Sequence, residues 1–194
     1  GLVQRLADQH ELYERRDIHA YAKHLHVTDL RTIGKIVLAC SGGGQLNISN
    51  DNIVKTAAGN RPSVVPRGVL LERGSGRWYY EVTVVTPGNA YIGFCNALFT
   101  GNSKKARGIG DDEGHSWGYS GHMCKKRHAK IDEDYGLPWK IGDVVGCMVD
   151  MNEGNITYSL NGSVEKLGIA FRNIFDEEKV VGGMTPVISF DAAF

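Results

Sequence analysis

The chain has 194 residues, 42% of them hydrophobic and 23% charged, with 22 Lys and Arg balancing 22 Asp and Glu. A domain of this length buries roughly 70% of its unfolded surface and needs no disulfide or metal staple. The balanced charge offers no long-range attraction to nucleic acid or an anionic membrane, and no apolar run approaches the ~20 residues of a membrane span.

Leu2 to Leu25 contain no Gly or Pro and are rich in Leu, Ala, Glu and Arg, a composition that favours helix. Leu2, Leu6, Tyr13, Ala20 and Tyr21 form a partial apolar stripe. Residues 1–33 are therefore expected to be a helical N-terminal extension, either packed on the rest of the chain or offered to a partner. His10, His19 and His24 include no pair four apart, so no metal is expected here.

From residue 34 onward the pattern changes to short strands and glycine-rich turns. Lys35 to Cys40, Leu46 to Ile48 and Val69 to Leu71 are short candidates, with Ser41 to Gly44 as a hairpin tip. Trp78 to Val85 alternates, placing Trp78, Tyr80, Val82 and Val84 on one face. Pro87-Gly88-Asn89 breaks that run before Tyr91 to Cys95. Val144 to Val149 is apolar on both faces, as in a strand covered on both sides. Asn152, Glu153 and Gly154 reverse the chain into Ile156 to Leu160, and Asn161-Gly162 is a strong two-residue turn signal. Pro186 to Phe190 is the last candidate strand. With 25 Gly against 5 Pro and no amphipathic helix after Arg31, the pattern predicts a sandwich or barrel over residues 34–194. Its core is expected to hold Trp78, Tyr80, Val82, Ile92, Phe94, Val145, Cys147, Val149, Tyr158 and Leu160.

Cys40, Cys95, Cys124 and Cys147 show no CxxC spacing. Reduced, mostly buried thiols are the expectation, and with no signal-peptide pattern at Gly1 they point to a reducing, cytoplasmic location. Gly114-His115-Ser116-Trp117-Gly118 satisfies the GxSxG pattern of serine hydrolases, which needs a strand before Ser116 and a helix after it. The charged run Lys104 to Glu113 precedes it and two glycines come after, so Ser116 is expected simply to enter a strand. Hydrolysis by Ser116 remains the catalytic alternative. Asp150-Met151-Asn152 opens like a calcium loop, but Asn161 occupies the position of the bidentate Glu. No cofactor or metal is expected.

Gly76-Arg77-Trp78-Tyr79-Tyr80-Glu81-Val82, Ile92-Gly93-Phe94, Ser116-Trp117-Gly118-Tyr119, Gly142-Asp143-Val144-Val145-Gly146 and Asn161-Gly162 occur in an order that resembles the SPRY/B30.2 family over residues 35–194. Gly108 to Gly121 is most similar to SPRY modules of large ubiquitin ligases, and Asp143 to Gly162 also resembles those of ryanodine receptors. The resemblance implies a mainly β protein, a bent antiparallel β-sandwich without catalytic activity. Such a module would recruit a protein or short peptide, with no nucleic acid or direct membrane contact. Its parent would be a ubiquitin ligase, where the module selects substrates, or a large channel, where it holds domains together. Carried over by motif order, the partner-binding residues are Asn60, Arg61 and Pro62, then Gly108, Ile109 and Asp111, then Phe190 and Asp191. Arg61, beside a proline, would grip a peptide carbonyl or carboxylate, and Ile109 would offer an exposed apolar contact. Residues 57–68, 101–113 and 122–134 read as loops. The last two each run from basic to acidic, as a solvated surface whose charges neutralise one another.

Overall fold

The computed structural model describes residues 63–86, 88–101, 108–175, 180 and 182–190, together with the backbone of four short strands earlier in the chain. The strands are β1 (Lys23–His24), β2 (Leu38–Ser41), β3 (Leu46–Ile48), β4 (Val54–Thr56), β5 (Ser63–Pro66), β6 (Arg77–Thr83) and β7 (Ala90–Asn96). They continue as β8 (Ser116–Ser120), β9 (Lys125–His128), β10 (Ile131–Asp134), β11 (Val144–Asp150), β12 (Asn155–Leu160), β13 (Ile169–Phe171) and β14 (Met184–Phe190). Five strands form one sheet in the order β1-β6-β11-β12-β13, and seven form the other in the order β10-β9-β8-β7-β14-β5-β2. The β3–β4 hairpin is a third, two-stranded sheet. Apart from β1, which runs parallel to β6, every pairing is antiparallel. This is the mainly β sandwich that the sequence predicts.

The expected helix over Leu2 to Leu25 lies outside the described residues except at Lys23 and His24. Those two are strand, paired with Trp78 and Tyr79, because an available sheet edge overrides a modest helix propensity. Val69 to Leu71 is not a strand either. Gly68 turns the chain at φ +72°, and only Leu71 pairs, in an isolated bridge to Met184. Residues 122–134 are a correction of another kind. Lys125–His128 and Ile131–Asp134 form a hairpin rather than a loop. Its turn places Ala129 and Lys130 at φ +49° and +68°, the two positive values of a type I′ turn without the Asn-Gly that announces one. Asn161-Gly162, at φ +52° and +80°, makes the same turn where the sequence predicts it, closed by hydrogen bonds between Leu160 and Ser163.

The core fills the space between the two large sheets. Ile92, Phe94, Val145, Cys147, Val149 and Tyr158 are buried there, joined by Trp117, Tyr119, Met151, Ile156 and Met184. Trp78, Tyr80 and Val82 face the core as expected but are only partly buried, as is Leu160 beside its turn. Two tyrosines tie the sheets together. The Tyr80 hydroxyl donates to the Gly93 carbonyl at 2.6 Å and Tyr158 to that of Ile92 at 2.9 Å, so each carries its polar end across the core to an acceptor. Tyr119 does the same along the rim, donating to the Leu137 carbonyl and accepting from the Leu137 N–H, and burial pushes its hydroxyl pKa up to about 12.

A strap beginning at Gly108 covers the opposite face of the seven-stranded sheet. Gly93 and Gly118 pair across β7 and β8, which leaves a shallow seat, and Ile109 sits on it with Tyr91, Cys95 and Val187. A Cβ at Gly118 would lie 2.5 Å from the Ile109 Cγ2, and one at Gly93 would lie 1.9 Å from the Trp117 carbonyl oxygen. Gly118→Ala is therefore expected to cost about 1–3 kcal/mol by overpacking. Combining it with Ile109→Ala should cost less than the sum of the single changes, because removing the isoleucine frees the space. Urea denaturation of the four variants of that cycle measures the coupling, and strict additivity would show that the two residues do not share this space.

Candidate partner-binding site

The two serines at the margin of the outer face organise the site. Ser63 opens β5 and pairs in register with Ser189 near the end of β14. Their hydroxyls lie 2.6 Å apart. The Ile109 N–H donates to the Ser189 Oγ at 3.0 Å. Gly108, at φ +92°, lies so close that a Cβ there would meet the Ser189 Cβ at 2.7 Å, and only glycine fits. Ser63, Ser189, Gly108 and Ile109 thus meet at one junction. In the chain, residues 60–62 precede Ser63 and residues 190–191 follow Ser189.

Within that junction the individual residues differ. Asn60, Arg61, Pro62 and Asp191 lie outside the described residues. Asp111 and Phe190 are half-buried, and Gly108 is buried. Ile109 is fully buried, not the exposed contact that its flanking glycines suggest. Those glycines let the backbone come down onto the sheet, so the side chain points in.

Beyond the strap lies an organised charged surface. Arg127 lies over the Tyr91 ring, 4.7 Å from its centroid, and grips Asp132 through Nε at 2.5 Å and a terminal nitrogen at 2.7 Å. That bond holds the guanidinium pKa above its ordinary value against the opposing effect of burial, with Asp111 adding a smaller pull. Lys125 meets Asp134 at 2.5 Å and Lys126 meets Glu133 at 3.2 Å. All three pairs are direct register neighbours on β9 and β10, so the basic-then-acidic run neutralises itself by folding back as a hairpin. Sequence reasoning misses this pairing because it reads the run as a loop. It also misses Ser63 and Ser189, whose only signal is a serine at an otherwise apolar strand position.

At the same end of the sandwich three apolar side chains remain exposed: Val85, Met123 and Ile141, at 53%, 47% and 59%. Val85 and Ile141 are brought together where the Gly142 N–H donates to the Val84 carbonyl at 2.8 Å. The Met123 N–H donates to the Ser120 Oγ at 3.5 Å, and that hydroxyl bonds Asn89 at 2.9 Å.

Ser116 holds a structural position. It is buried and begins β8, as the sequence reading expects. Its hydroxyl donates to Asp112 Oδ2 at 2.7 Å and accepts from the Gly110 N–H at 2.7 Å. The other Asp112 oxygen accepts from the Gly114 and His115 N–H groups. His128 meets the backbone oxygen of Ser116, at 2.8 Å, and His115 bonds Asn96. Hydrolases of the GxSxG pattern place an imidazole on the serine hydroxyl, and this hydroxyl is engaged by a carboxylate. Cys95 and Cys147 are buried free thiols, with pKa values raised by burial, which makes them poor nucleophiles. Among the described residues no group of three or more His, Cys, Asp or Glu gathers to hold a metal, and no helix is long and apolar enough to cross a membrane.

Comparison with known proteins agrees with this architecture. The chain is 41% identical over 106 residues to a probable ATP-dependent RNA helicase, ddx1, of Dictyostelium discoideum, a match covering 54% of the chain and 12% of that protein. It is 35% identical over 99 residues to the E3 ubiquitin-protein ligase RKP of Arabidopsis thaliana, covering 51% of the chain and 7% of the ligase. It is 32% identical over 128 residues to the Ran-binding proteins 9/10 homolog of Drosophila melanogaster, covering 61% of the chain and 12% of that protein. The matches thus span roughly a tenth of each relative's length. The crystal structure of the SPRY domain of human HERC1 superposes with a TM-score of 0.58 at 16% identity, covering 77% of this chain and 86% of that one, which shows a shared fold. Residues 77–193 match the SPRY domain, and the chain belongs to this family of protein-interaction modules.

Proposed function

We propose that this domain captures a protein segment or short peptide at the junction of residues 60–62, the strap and the end of β14. The observation that carries the reading is the three-way contact of Ser63, Ser189 and the Ile109 N–H. It draws together three chain segments that are far apart in sequence and holds them on a rigid sheet, where binding residues are best positioned. Arg61 supplies the fork for a carbonyl or carboxylate, Asp111 and Phe190 form the rim, and Gly108 and Ile109 support it from below.

The relatives are named for different activities: an RNA helicase, a ubiquitin ligase and a Ran-binding homolog. A domain common to such different chemistries supplies recognition while the reaction is carried by other domains. The match to the ligase favours a parent in which this module recruits the substrate of ubiquitin transfer.

Arg61→Ala is expected to weaken partner capture at least tenfold, about 1.4 kcal/mol, with the melting temperature nearly unchanged. Ile109→Asp should instead lower the melting temperature sharply, since it buries an unpaired charge. Quantitative pull-down alongside thermal melting separates the two effects, and an Arg61 variant that keeps every partner would remove the loop from the site. Ser116→Ala is expected to cost about 1–3 kcal/mol of stability, through the unmet N–H of Gly110 and the lost bond to Asp112. The native protein should leave a fluorophosphonate probe unreacted. Labelling that disappears in the Ser116 variant would restore the hydrolase reading.

A further inference from the structure

The turn after β12 holds the one Asn-Gly pair of the chain, Asn161-Gly162. Asparagine is a chemically labile residue, and a glycine after it, having no side chain, leaves its own backbone nitrogen open to attack the neighbouring carboxamide. In that reaction the Gly162 nitrogen bonds to the Asn161 Cγ and the Cγ–Nδ2 bond breaks. Ammonia leaves with the proton of the Gly162 N–H, and a cyclic imide remains. Water then opens the imide, giving aspartate by attack at the side-chain carbonyl and isoaspartate by attack at the main-chain carbonyl. Nothing is oxidised or reduced.

Asn161 is exposed, so water reaches it, yet its carboxamide is engaged at both ends. Oδ1 accepts from the Val144 N–H at 2.9 Å, and Nδ2 donates to Asp143 Oδ1 at 3.0 Å. Asp143 is itself buried, and its other carboxylate oxygen accepts from the Lys140 N–H at 2.8 Å. Its backbone is equally occupied: the carbonyl accepts from the Val84 N–H at 2.9 Å and the N–H donates to the Lys140 carbonyl at 3.0 Å. This clasp ties the turn after β12 to the start of β11 and to residues 140–143, which carry the exposed Ile141. Deamidation necessarily removes Nδ2, the donor to Asp143, and puts a second carboxylate in its place. Two carboxylates at hydrogen-bond distance cannot both ionise without strong repulsion. We propose that Asn161 is a deamidation site held in check by the folded clasp, and that its conversion to a carboxylate is a one-way switch that opens the clasp.

Mass spectrometry of the peptide carrying residue 161, with isoaspartate read as the second product, follows the reaction at mildly alkaline pH. Asn161 should convert at least about tenfold faster in urea than in the native chain. Asp143→Asn keeps an acceptor for Lys140 but takes away the one for Nδ2. In the folded protein it should speed conversion by a similar factor, as loss of a hydrogen bond to a charged group implies. Equal rates in native and unfolded chains, or in native protein and folded Asp143→Asn, would overturn the proposal. Asn161→Asp reproduces the product. The facing carboxylates hold a proton more tightly in the folded variant than in the unfolded one, so its folding is favoured on the acid side and weakened as pH rises. The native Asp143 carboxyl is held below its ordinary pKa, chiefly by the Asn161 amide, so its contribution is instead lost as pH falls. The melting temperature of Asn161→Asp should therefore lie close to that of the native protein at about pH 4 and several degrees below it at about pH 7. Combining Asn161→Asp with Asp143→Asn exchanges donor and acceptor and keeps every bond of the clasp, so the double variant should melt above Asn161→Asp at about pH 7. A deficit that does not change with pH, or an exchanged pair that melts no higher, would equally reject the switch. Where Asp143→Asn alone does not fold, the urea comparison and the exchanged pair decide.

Discussion

Where β7 and β8 pair, Gly93 stands opposite Gly118, and neither has a side chain to raise above the sheet. The strands approach so closely there that a Cβ on Gly93 would overlap the neighbouring backbone. The resulting depression is where Ile109 seats, and the position of Ile109 fixes the strap. The strap in turn delivers an N–H to Ser189, and Ser189 holds Ser63. The candidate site at the end of the sandwich therefore depends on two absent side chains in the middle of a sheet. A substitution at either glycine would act on that candidate site from a distance.

Beneath this surface the sandwich is stiffened by hydroxyls that cross it. Tyr80 and Tyr158 reach from one sheet to backbone carbonyls of adjacent residues on β7. Each bond is worth only about 1 kcal/mol, but together they fix the register of one sheet over the other. They also fix β7, the strand that carries Gly93.

How much of this is legible in the sequence depends on whether the signal is local. The alternation in Trp78 to Val85, the run Val144 to Val149 and the Asn161-Gly162 turn are short-range patterns, and each is where the sequence places it. Ile92-Gly93-Phe94 and Ser116-Trp117-Gly118-Tyr119 are legible as strands. That their glycines face each other is a long-range fact, and so is the burial of Ile109 that results from it. The β9–β10 hairpin escapes a local reading because Ala129 and Lys130 adopt a conformation that pairing imposes rather than one their composition favours. Alternation sets Tyr79 on the face of β6 opposite the predicted core, but it cannot tell that both faces are covered. The contact of Ser63 with Ser189 is long-range as well, and no spacing along the chain predicts it.

The ion-pair ladder on the β9–β10 hairpin has a consequence for how the molecule behaves among its own copies. β10 is the outermost strand of its sheet, and an outermost strand presents unpaired backbone groups on which another chain can nucleate. Each of the carboxylates Asp132, Glu133 and Asp134 is already engaged by a cation from the strand behind it. An incoming strand would have to strip water from these ion pairs and gain no new counter-charge in return. This edge of the sheet is thereby a poor template for another strand, and copies of the domain are discouraged from pairing along β10.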